Sequence, residues 1–449
     1  MFIKDRSFYK KVLTIAIPIT LQSLITFAIN MMDTVMVGSL GEIPLSAASL
    51  SGQIFFITTI LCFGIGGGGA VLTSQFWGKN DKESISKTLS IIIKLNILVG
   101  FIFLLLSLLI PDKLLMFYTN DEAVIQAGVP YLKVVSVMYP LFCITTAISV
   151  IFRTIAQVKI SVIANSVAFV LNVFFNWIFI FGKFGAPALG LTGAAIGTII
   201  SRFVECSIMV GYLFLLDKKI NFTFEKFLSF DREIFKKYLK TGINVLISDA
   251  ILVAGLTSLT MILGRLGPEM IAANSICSIV IQLSTISIAG IGSAGLVIIG
   301  NTIGEGKLNL AKSQSKTFLL IAIITGIISA IVIILTKPIA IDFYNVSQET
   351  KDIAYQLMNG AAFIVVFQVP SVVLTKGILR GGGDTKFLLL ADVMFLWILS
   401  IPLGMAAAFV FKFPPALIYI CLKFDEIIKS VWCTIRMFGN KWIKDVTIA

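Results

Sequence analysis

Long apolar stretches alternate with short polar connections along the whole chain. Each stretch has about 20 residues or more, which is the length that a helix needs to cross the hydrocarbon core of a bilayer. The stretches lie at 11–38, 44–76, 88–110, 125–152, 159–182, 189–215, 236–264, 269–302, 314–336, 350–377, 384–411 and 413–436. The pattern therefore predicts an all-α integral membrane protein with twelve transmembrane helices.

The composition agrees with this prediction and excludes several classes of function. The chain is 57% hydrophobic and only 13% charged, which excludes a water-soluble protein. Its net charge of +12 resides in short connections and forms no continuous basic stripe, so we expect no nucleic-acid partner. The chain has no histidine, and its six cysteines show no CxxC spacing. We therefore expect no histidine-based catalysis, no zinc site, no disulfide and no cofactor.

The basic residues are distributed unequally between the two sides of the predicted spans. The connections on one side, which include both chain ends and the central connection, carry 25 Lys and Arg, against 6 on the other side. By the positive-inside rule, both termini are predicted to lie in the cytoplasm and the chain in the cell's inner (plasma) membrane. The basic start of the chain runs into a stretch of full spanning length without a cleavage site, so we expect the first span to be retained.

The chain contains an internal repeat. A shift of 226 residues superposes Gly38 on Gly264, Gly41 on Gly267 and Gly78 on Gly304 without a gap. Because six spans separate equivalent positions, the halves have the same orientation. We expect two parallel-repeat six-helix bundles around a central cavity, 1–215 and 236–449, joined by a cytoplasmic linker at 216–235. Such bundles are typical of alternating-access transport, and a duplicated structural membrane protein is the alternative.

Several short motifs resemble one transporter family. The run Met32–Gly41, MDTVMVGSLG, followed by Ala47 and Ala48, resembles the first-helix signature of the multidrug and toxic compound extrusion (MATE) family in its bacterial and archaeal branch, and Gly264–Ala273 repeats it. Two further motifs of the family are matched by Gly190, Gly193, Ala194, Ala195 and Thr198, and by Arg380, Gly381, Gly383, Asp384 and Thr385. The resemblance implies efflux of organic cations in exchange for sodium ions or protons. We expect a monomer that acts as a transporter and not as an enzyme.

Asp33 is the principal candidate for cation coupling. An ionised carboxylate near the middle of a membrane costs about 2.5 to 3.5 kcal/mol and is found mostly where it faces a cavity. Asn30 lies one helical turn earlier. Pro18 lies earlier in the same span, where its missing amide hydrogen bond permits a kink. The family links a proline there to bending of the first helix, whereas a position near the helix start is the alternative.

Asn172 and Asn176 are spaced i, i+4 in the fifth span and therefore share a helix face. Their amide oxygens, with the Thr198 hydroxyl, are candidates to complete a sodium site around Asp33. Relatives commonly carry Asp at the position of Asn176, so this chain has one titratable group fewer. The alternative is that both amides only form hydrogen bonds between helices.

Other charged residues lie within predicted spans. Asp249 and Asp392 are secondary acidic candidates, and the spacing of Arg202 and Glu205 predicts an intrahelical ion pair. The last span contains four charges that are predicted to pair in the same way: Lys423, Asp425, Glu426 and Lys429.

Two GxGxxG runs, Gly64 to Gly69 and Gly290 to Gly295, lie inside apolar helical stretches and not between a strand and a helix. We interpret them as helix-packing glycines and not as a dinucleotide site. The chain has no GxxxxGK[ST] loop, so an ion gradient is the expected energy source. A lipid-linked oligosaccharide flippase is the alternative transport function and would need a strongly basic cavity.

Overall fold

A computed structural model describes residues 2–344 and 346–448, and their regular secondary structure is entirely helical. In this part of the chain twelve helical regions follow one another, with the short helices Pro111–Met116 and Phe224–Leu228 in connections between them. The first six are α1 (Arg6–Gly38), α2 (Glu42–Gly78), α3 (Lys82–Leu109), α4 (Glu122–Val135 and Met138–Thr154), α5 (Val158–Phe181) and α6 (Gly190–Leu216). The second six are α7 (Arg232–Gly264), α8 (Pro268–Ser284 and Ser287–Gly304), α9 (Leu308–Asp342), α10 (Gln348–Leu379), α11 (Thr385–Val410) and α12 (Pro415–Leu422 and Phe424–Phe438).

Most of these helices are long and apolar enough to cross a membrane. Ten helices satisfy both criteria alone among the described residues, and the two segments of α4 satisfy them together. The exception is α12, which carries the four charged side chains noted above. The regions coincide with the twelve predicted stretches, and the all-α, multi-pass membrane prediction is confirmed.

Polar side chains and glycines define where several helices begin and end. Asp81 and Asp121 accept hydrogen bonds from backbone N–H groups in the first turns of α3 and α4, which would otherwise have no partner. Gly182 ends α5 in the left-handed conformation, with φ 68°. These signals place the helix boundaries within a few residues of the predicted ones.

The repeated glycines have a conformational reason in the turn after α1 and the turn after α7. Gly41 and its repeat partner Gly267 adopt φ values of 111° and 119°, a region that residues with a Cβ rarely enter. The same backbone turn therefore joins the first two helices of each half.

The fourth helix differs from its prediction as one continuous stretch. Its segments meet at an angle of 50° after Val135. Pro140, close to the start of the second segment, cannot donate a backbone hydrogen bond to the preceding turn, which explains why the helix breaks here.

The glycine runs of α2 and α8 are packing positions within helices, as interpreted from the sequence. A Cβ on Gly69 would lie 1.9 Å from the side chain of Ile92, and one on Gly290 would lie 2.3 Å from the carbonyl oxygen of Ala16. Neighbouring helices therefore approach at these glycines closely enough to leave no space for a side chain.

The predicted linker contains a short helix, Phe224–Leu228, that packs against α3. The Lys94 ammonium donates hydrogen bonds to the carbonyl oxygens of Leu228 and Ser229, at 3.3 and 2.8 Å. At the start of α7, the backbone N–H of Ile234 and the Lys87 ammonium hold the pKa of Asp231 below its usual value.

The chain forms two compact units. One, the C-terminal unit, comprises Ile243–Ala449 with Met1–Thr20 and Ser74–Asn80, and the other, the N-terminal unit, comprises Leu21–Thr73 and Asp81–Gly242. The division within α1 falls two residues after Pro18. Because α1 begins at Arg6, Pro18 lies in the helix interior and not near its start. The domain boundaries at 215 and 236 stay a prediction.

Candidate cation site

Three helices of the N-terminal unit bring the principal predicted site residues together. The Asn176 side-chain nitrogen on α5 donates a hydrogen bond to Asp33 Oδ1 on α1, at 2.6 Å. The same nitrogen lies 3.4 Å from Asn172 Oδ1, and Asn172 Nδ2 donates to the Thr198 hydroxyl on α6, at 3.3 Å. A hydrogen-bonded chain therefore connects the carboxylate on α1 with α5 and α6.

The orientation of the Asn176 amide differs from the prediction. The sequence predicted amide oxygens directed at Asp33, whereas the structure directs the amide nitrogen there, because an ionised carboxylate only accepts hydrogen bonds. Asn176 Oδ1 is buried and has no hydrogen-bond partner among the described residues. The amide nitrogen thus donates to Asp33, and the amide oxygen is left without a donor among the described residues.

Two glycines of α6 determine how closely α5 and α6 approach. A Cβ on Gly193 would lie 2.3 Å from the Phe179 carbonyl oxygen, and one on Gly197 would lie 2.2 Å from Asn176 Oδ1. The Asn176 side chain is fully buried against this glycine face. These glycines thereby hold the amide beside Asp33.

The chain of polar groups borders a cavity of about 110 Å³. Its wall is formed by Ile29, Asn30, Asp33, Ser51, Gly52, Phe55, Tyr131, Val135, Met138, Tyr139, Ala168, Asn172, Thr198, Ser201 and Arg202. Sites for drug-sized molecules usually measure about 300 to 1,000 Å³. The volume suits an ion with a few water molecules and is too small for a drug.

Arg202 is a charged member of the cavity wall that sequence reasoning did not place there. Its guanidinium forms the predicted ion pair with Glu205, at 2.7 Å, and lies 5.5 Å from the centre of the Phe142 ring. Arg202 is one helical turn after Thr198, so their i, i+4 spacing was the signal for a shared face. Arg202 attracts both Glu205 and Asp33, so the three groups together carry one net negative charge.

Two other predicted residues have different positions relative to the cavity. Asn30 lines it, as its spacing from Asp33 predicted. Pro18 is fifteen residues before Asp33 in the same helix, roughly 22 Å along the axis at 1.5 Å per residue, and is not part of the wall.

The secondary acidic candidates lie in the C-terminal unit and are paired with bases. The Arg380 guanidinium donates to both oxygens of Asp249, at 2.9 and 3.3 Å. Asp392 accepts a hydrogen bond from the Ser248 hydroxyl and lies 3.5 Å from the Lys429 ammonium. Neither carboxylate presents an unbalanced charge to a cavity, in contrast to Asp33.

Lys429 also forms the predicted intrahelical pair in α12, at 2.8 Å from Asp425. Asp384 of the predicted cytoplasmic motif is fully buried and binds Arg436 and Lys444, at 2.8 and 2.5 Å. These charges of the C-terminal unit are held in ion pairs between helices and with the chain's last residues.

The donor set around Asp33 limits the chemistry of the site. The described residues contain no group of three or more acidic or cysteine side chains that could hold a metal ion. One carboxylate with the neutral oxygens of Asn172 and Thr198 can hold a weakly bound monovalent cation or one proton, but not both charges at once.

The fold and this cavity within the membrane-spanning helices are those of a membrane transporter. The MatE family model matches residues 18–178 and 245–406, one segment in each repeat. The chain belongs to the MatE family, whose members are multi-pass membrane transporters of small molecules and not enzymes.

Curated relatives match over nearly the whole chain. A probable multidrug resistance protein NorM of Pasteurella multocida is 24% identical over 91% of this chain and 88% of its own length. A protein of the same description from Thermotoga maritima is also 24% identical, over 97% of this chain and 93% of its own length. A crystal structure of a MATE protein in the bent conformation has a TM-score of 0.87 at 17% identity over 96% of both chains, which confirms the fold.

Proposed function

We propose that this protein is a secondary active exporter that moves organic cations out of the cell in exchange for sodium ions or protons. The curated relatives are described as multidrug resistance proteins, and transport by alternating access is the use that a duplicated membrane scaffold favours. In this proposal the protein acts as a monomer in the inner membrane, and both termini lie in the cytoplasm, an orientation that the distribution of Lys and Arg supports.

The observation that carries this proposal is the unbalanced carboxylate of Asp33 in a cavity within membrane-spanning helices. A buried negative charge attracts a cation or a proton, because moving it from water without a partner is costly. Arg202 offsets this charge only in part, since Glu205 is its ion-pair partner and the three groups together keep one net negative charge. The coupling cation and the organic cation therefore compete for Asp33.

The size of the cavity assigns an order to the cycle. At about 110 Å³, it accommodates the coupling cation in the conformation described here. Binding of an organic cation requires the wall to open and the coupling cation to leave. Because the two cations exclude each other, their transport is coupled as an exchange. After the organic cation leaves on the outside, the coupling cation, driven by its gradient, binds to the site from that side.

The lipid-linked oligosaccharide alternative gains no support from this site. Such a substrate carries a pyrophosphate and needs several unpaired bases. Arg202 is the one basic residue among those that line this cavity, and it is paired.

Efflux from proteoliposomes tests the proposal. Purified protein is reconstituted with ethidium, and a sodium gradient or a pH gradient is imposed separately. We expect at least one gradient to drive ethidium movement, and Asp33→Asn to abolish that movement because it removes the charge while keeping the side-chain size.

The matched control is Asp112→Asn, the same chemical change at an exposed position outside the long helices. It should transport like the unaltered protein, and both variants should elute as monodisperse species. Undiminished efflux by Asp33→Asn would remove this residue from the mechanism. Failure of both gradients would refute the exporter.

A further inference from the structure

The C-terminal unit has a second cavity, of about 310 Å³, to which no function has been assigned above. It lies between α7, α8, α10 and α12. Its wall is formed by Leu256, Leu259, Thr260, Leu263, Asn274, Ser278, Ile281, Gln282, Gln368, Tyr419, Leu422 and Lys423. This volume reaches the range of sites that bind small organic molecules.

The cavity is the repeat counterpart of the Asp33 cavity. The shift of 226 residues converts four wall residues of the first cavity into four of the second. The pairs are Asn30 with Leu256, Asp33 with Leu259, Gly52 with Ser278, and Phe55 with Ile281. The first cavity is therefore lined by residues of α1 and α2, and the second is lined by the equivalent residues of α7 and α8.

The charged groups of the two walls differ: the first wall has Asp33 and Arg202, and the second has Lys423. Leucine stands where the first cavity has its carboxylate, and no Asp or Glu is among the wall residues. Lys423 is their one charged side chain, and it forms no ion pair with a described carboxylate. Asp425 pairs with Lys429, and Glu426, which lines the neighbouring cluster of Asp392 and Lys429, is attracted less strongly by Lys423 than by Lys429.

Three amide side chains of the wall, those of Asn274, Gln282 and Gln368, have no hydrogen-bond partner among the described residues. Each amide offers N–H donors, and the Lys423 ammonium offers donors with a full positive charge. Leucines of α7 add an apolar part to the same wall.

We propose that this cavity binds small organic anions, with the carboxylate or sulfonate at Lys423 and the surrounding amides and the apolar body against Leu256 and Leu259. Charge-assisted hydrogen bonds to the anionic group supply the selectivity, and burial of the apolar body supplies most of the affinity. The site goes beyond the proposed cation export at Asp33 and extends the ligands of this chain to anions.

Three ligands with one aromatic body test the site in purified, full-length protein in nanodiscs without any gradient. They are 2-naphthoate, 2-naphthamide and 2-naphthylmethylammonium, with binding measured by equilibrium dialysis in the Asp33→Asn variant, so that cation binding at the first cavity does not interfere. We expect 2-naphthoate to bind roughly tenfold more tightly than the neutral amide, as one charge-assisted hydrogen bond in place of a neutral one provides.

Variants of the second cavity locate the binding. In the same background, Lys423→Met should weaken the binding of 2-naphthoate about tenfold and change the affinity for 2-naphthamide by less than about twofold. Lys423→Arg, which keeps the positive charge, should bind 2-naphthoate as tightly as Lys423 does. Leu259→Asp should reverse the order in favour of the cation. The control, Lys441→Met, removes an exposed lysine outside the cavity and should change nothing.

The proposal is overturned if 2-naphthoate binds no more tightly than 2-naphthamide, or if Lys423→Met and Lys441→Met bind it equally. Should Lys423→Met not fold, the Arg and Leu259→Asp variants still decide between an anion site and an undirected apolar pocket. Because no gradient is used, failure of this site leaves the efflux test of Asp33 unaffected.

Discussion

At the scale of single residues, the position of Asn176 decides what the candidate site can do. Its nitrogen donates to Asp33, and its oxygen faces the bare backbone of Gly197 without a donor. Rotation of the amide by half a turn would present the oxygen to a cation at Asp33. One orientation of the amide therefore donates to the carboxylate of Asp33, and the other would present an oxygen ligand to a cation there.

Gly197→Ala tests this role of Asn176. The added Cβ would lie 2.2 Å from Asn176 Oδ1, so the amide must move away from Asp33. Loss of a hydrogen bond to a charged group costs about 1.5 to 3 kcal/mol, and we expect the initial rate of ethidium efflux to fall roughly ten- to hundredfold.

The control is Gly211→Ala on the same helix, where a Cβ would have no atom within 4 Å. It should keep normal efflux and gain slightly in stability from the better helix propensity of alanine. Efflux that is equal in the two variants would show that the position of Asn176 is not critical.

The sequence predicted which residues form the site but not how they bond. Asp33, Asn172 and Asn176 were found because a carboxylate and an i, i+4 amide pair are unusual in apolar helices. The direction of the Asn176 amide depends on the packing of α5 against glycines of α6, which helical periodicity does not reveal. The pairing of Asp249 with Arg380 joins α7 to α10, and contacts so distant along the chain leave no local pattern.

At the scale of helices, the internal repeat has a structural explanation at the ends of α2 and α8. A Cβ on Gly78 would lie 2.0 Å from the Asn301 carbonyl oxygen, and one on Gly304 would lie 2.0 Å from that of Gln75. The four residues are related pairwise by the shift of 226. Gly78 of α2 packs against Asn301 of α8, and its repeat partner Gly304 packs against Gln75, the repeat partner of Asn301. Because each glycine is needed for this contact, both repeats retain a glycine at this position.

Gly304→Ala tests this crossing. Because the Cβ would meet backbone and not a flexible side chain, the helices must separate, and we expect the free energy of unfolding to fall by about 1 to 3 kcal/mol. Thermal unfolding of the purified protein measures the change.

Gly292→Ala on the same helix is the control, since no atom lies within 4 Å of its added Cβ. If both variants unfold at the temperature of the unaltered protein, the crossing is not a close contact in the folded protein.

Helix boundaries were predicted to within six residues because the apolar stretches end at short polar connections. The break in α4 was not predicted, although Pro140 lies beside it. A proline within an apolar stretch indicates either a break or a position inside a continuous helix. Pro140 lies beside the break in α4, whereas α1 continues through Pro18. Tertiary packing decides between them, and the sequence of one helix does not contain it.

At the scale of the whole molecule, the two repeats share a backbone but differ in chemistry. One cavity has Asp33 and about 110 Å³, and its counterpart has Leu259, Lys423 and about 310 Å³. A duplicated scaffold of this kind allows each half to specialise, because side chains lining a cavity can change without altering the helix packing.

The central claim is that the coupling cation and the organic cation compete for Asp33. Ethidium binding to purified protein, measured at increasing sodium concentration and separately at decreasing pH, tests it most directly. We predict that sodium ions or protons raise the apparent Kd for ethidium, and that Asp33→Asn binds ethidium more weakly with no dependence on either. The account would be contradicted if the affinity for ethidium did not change with sodium concentration or pH, or if Asp33→Asn kept the same dependence on either.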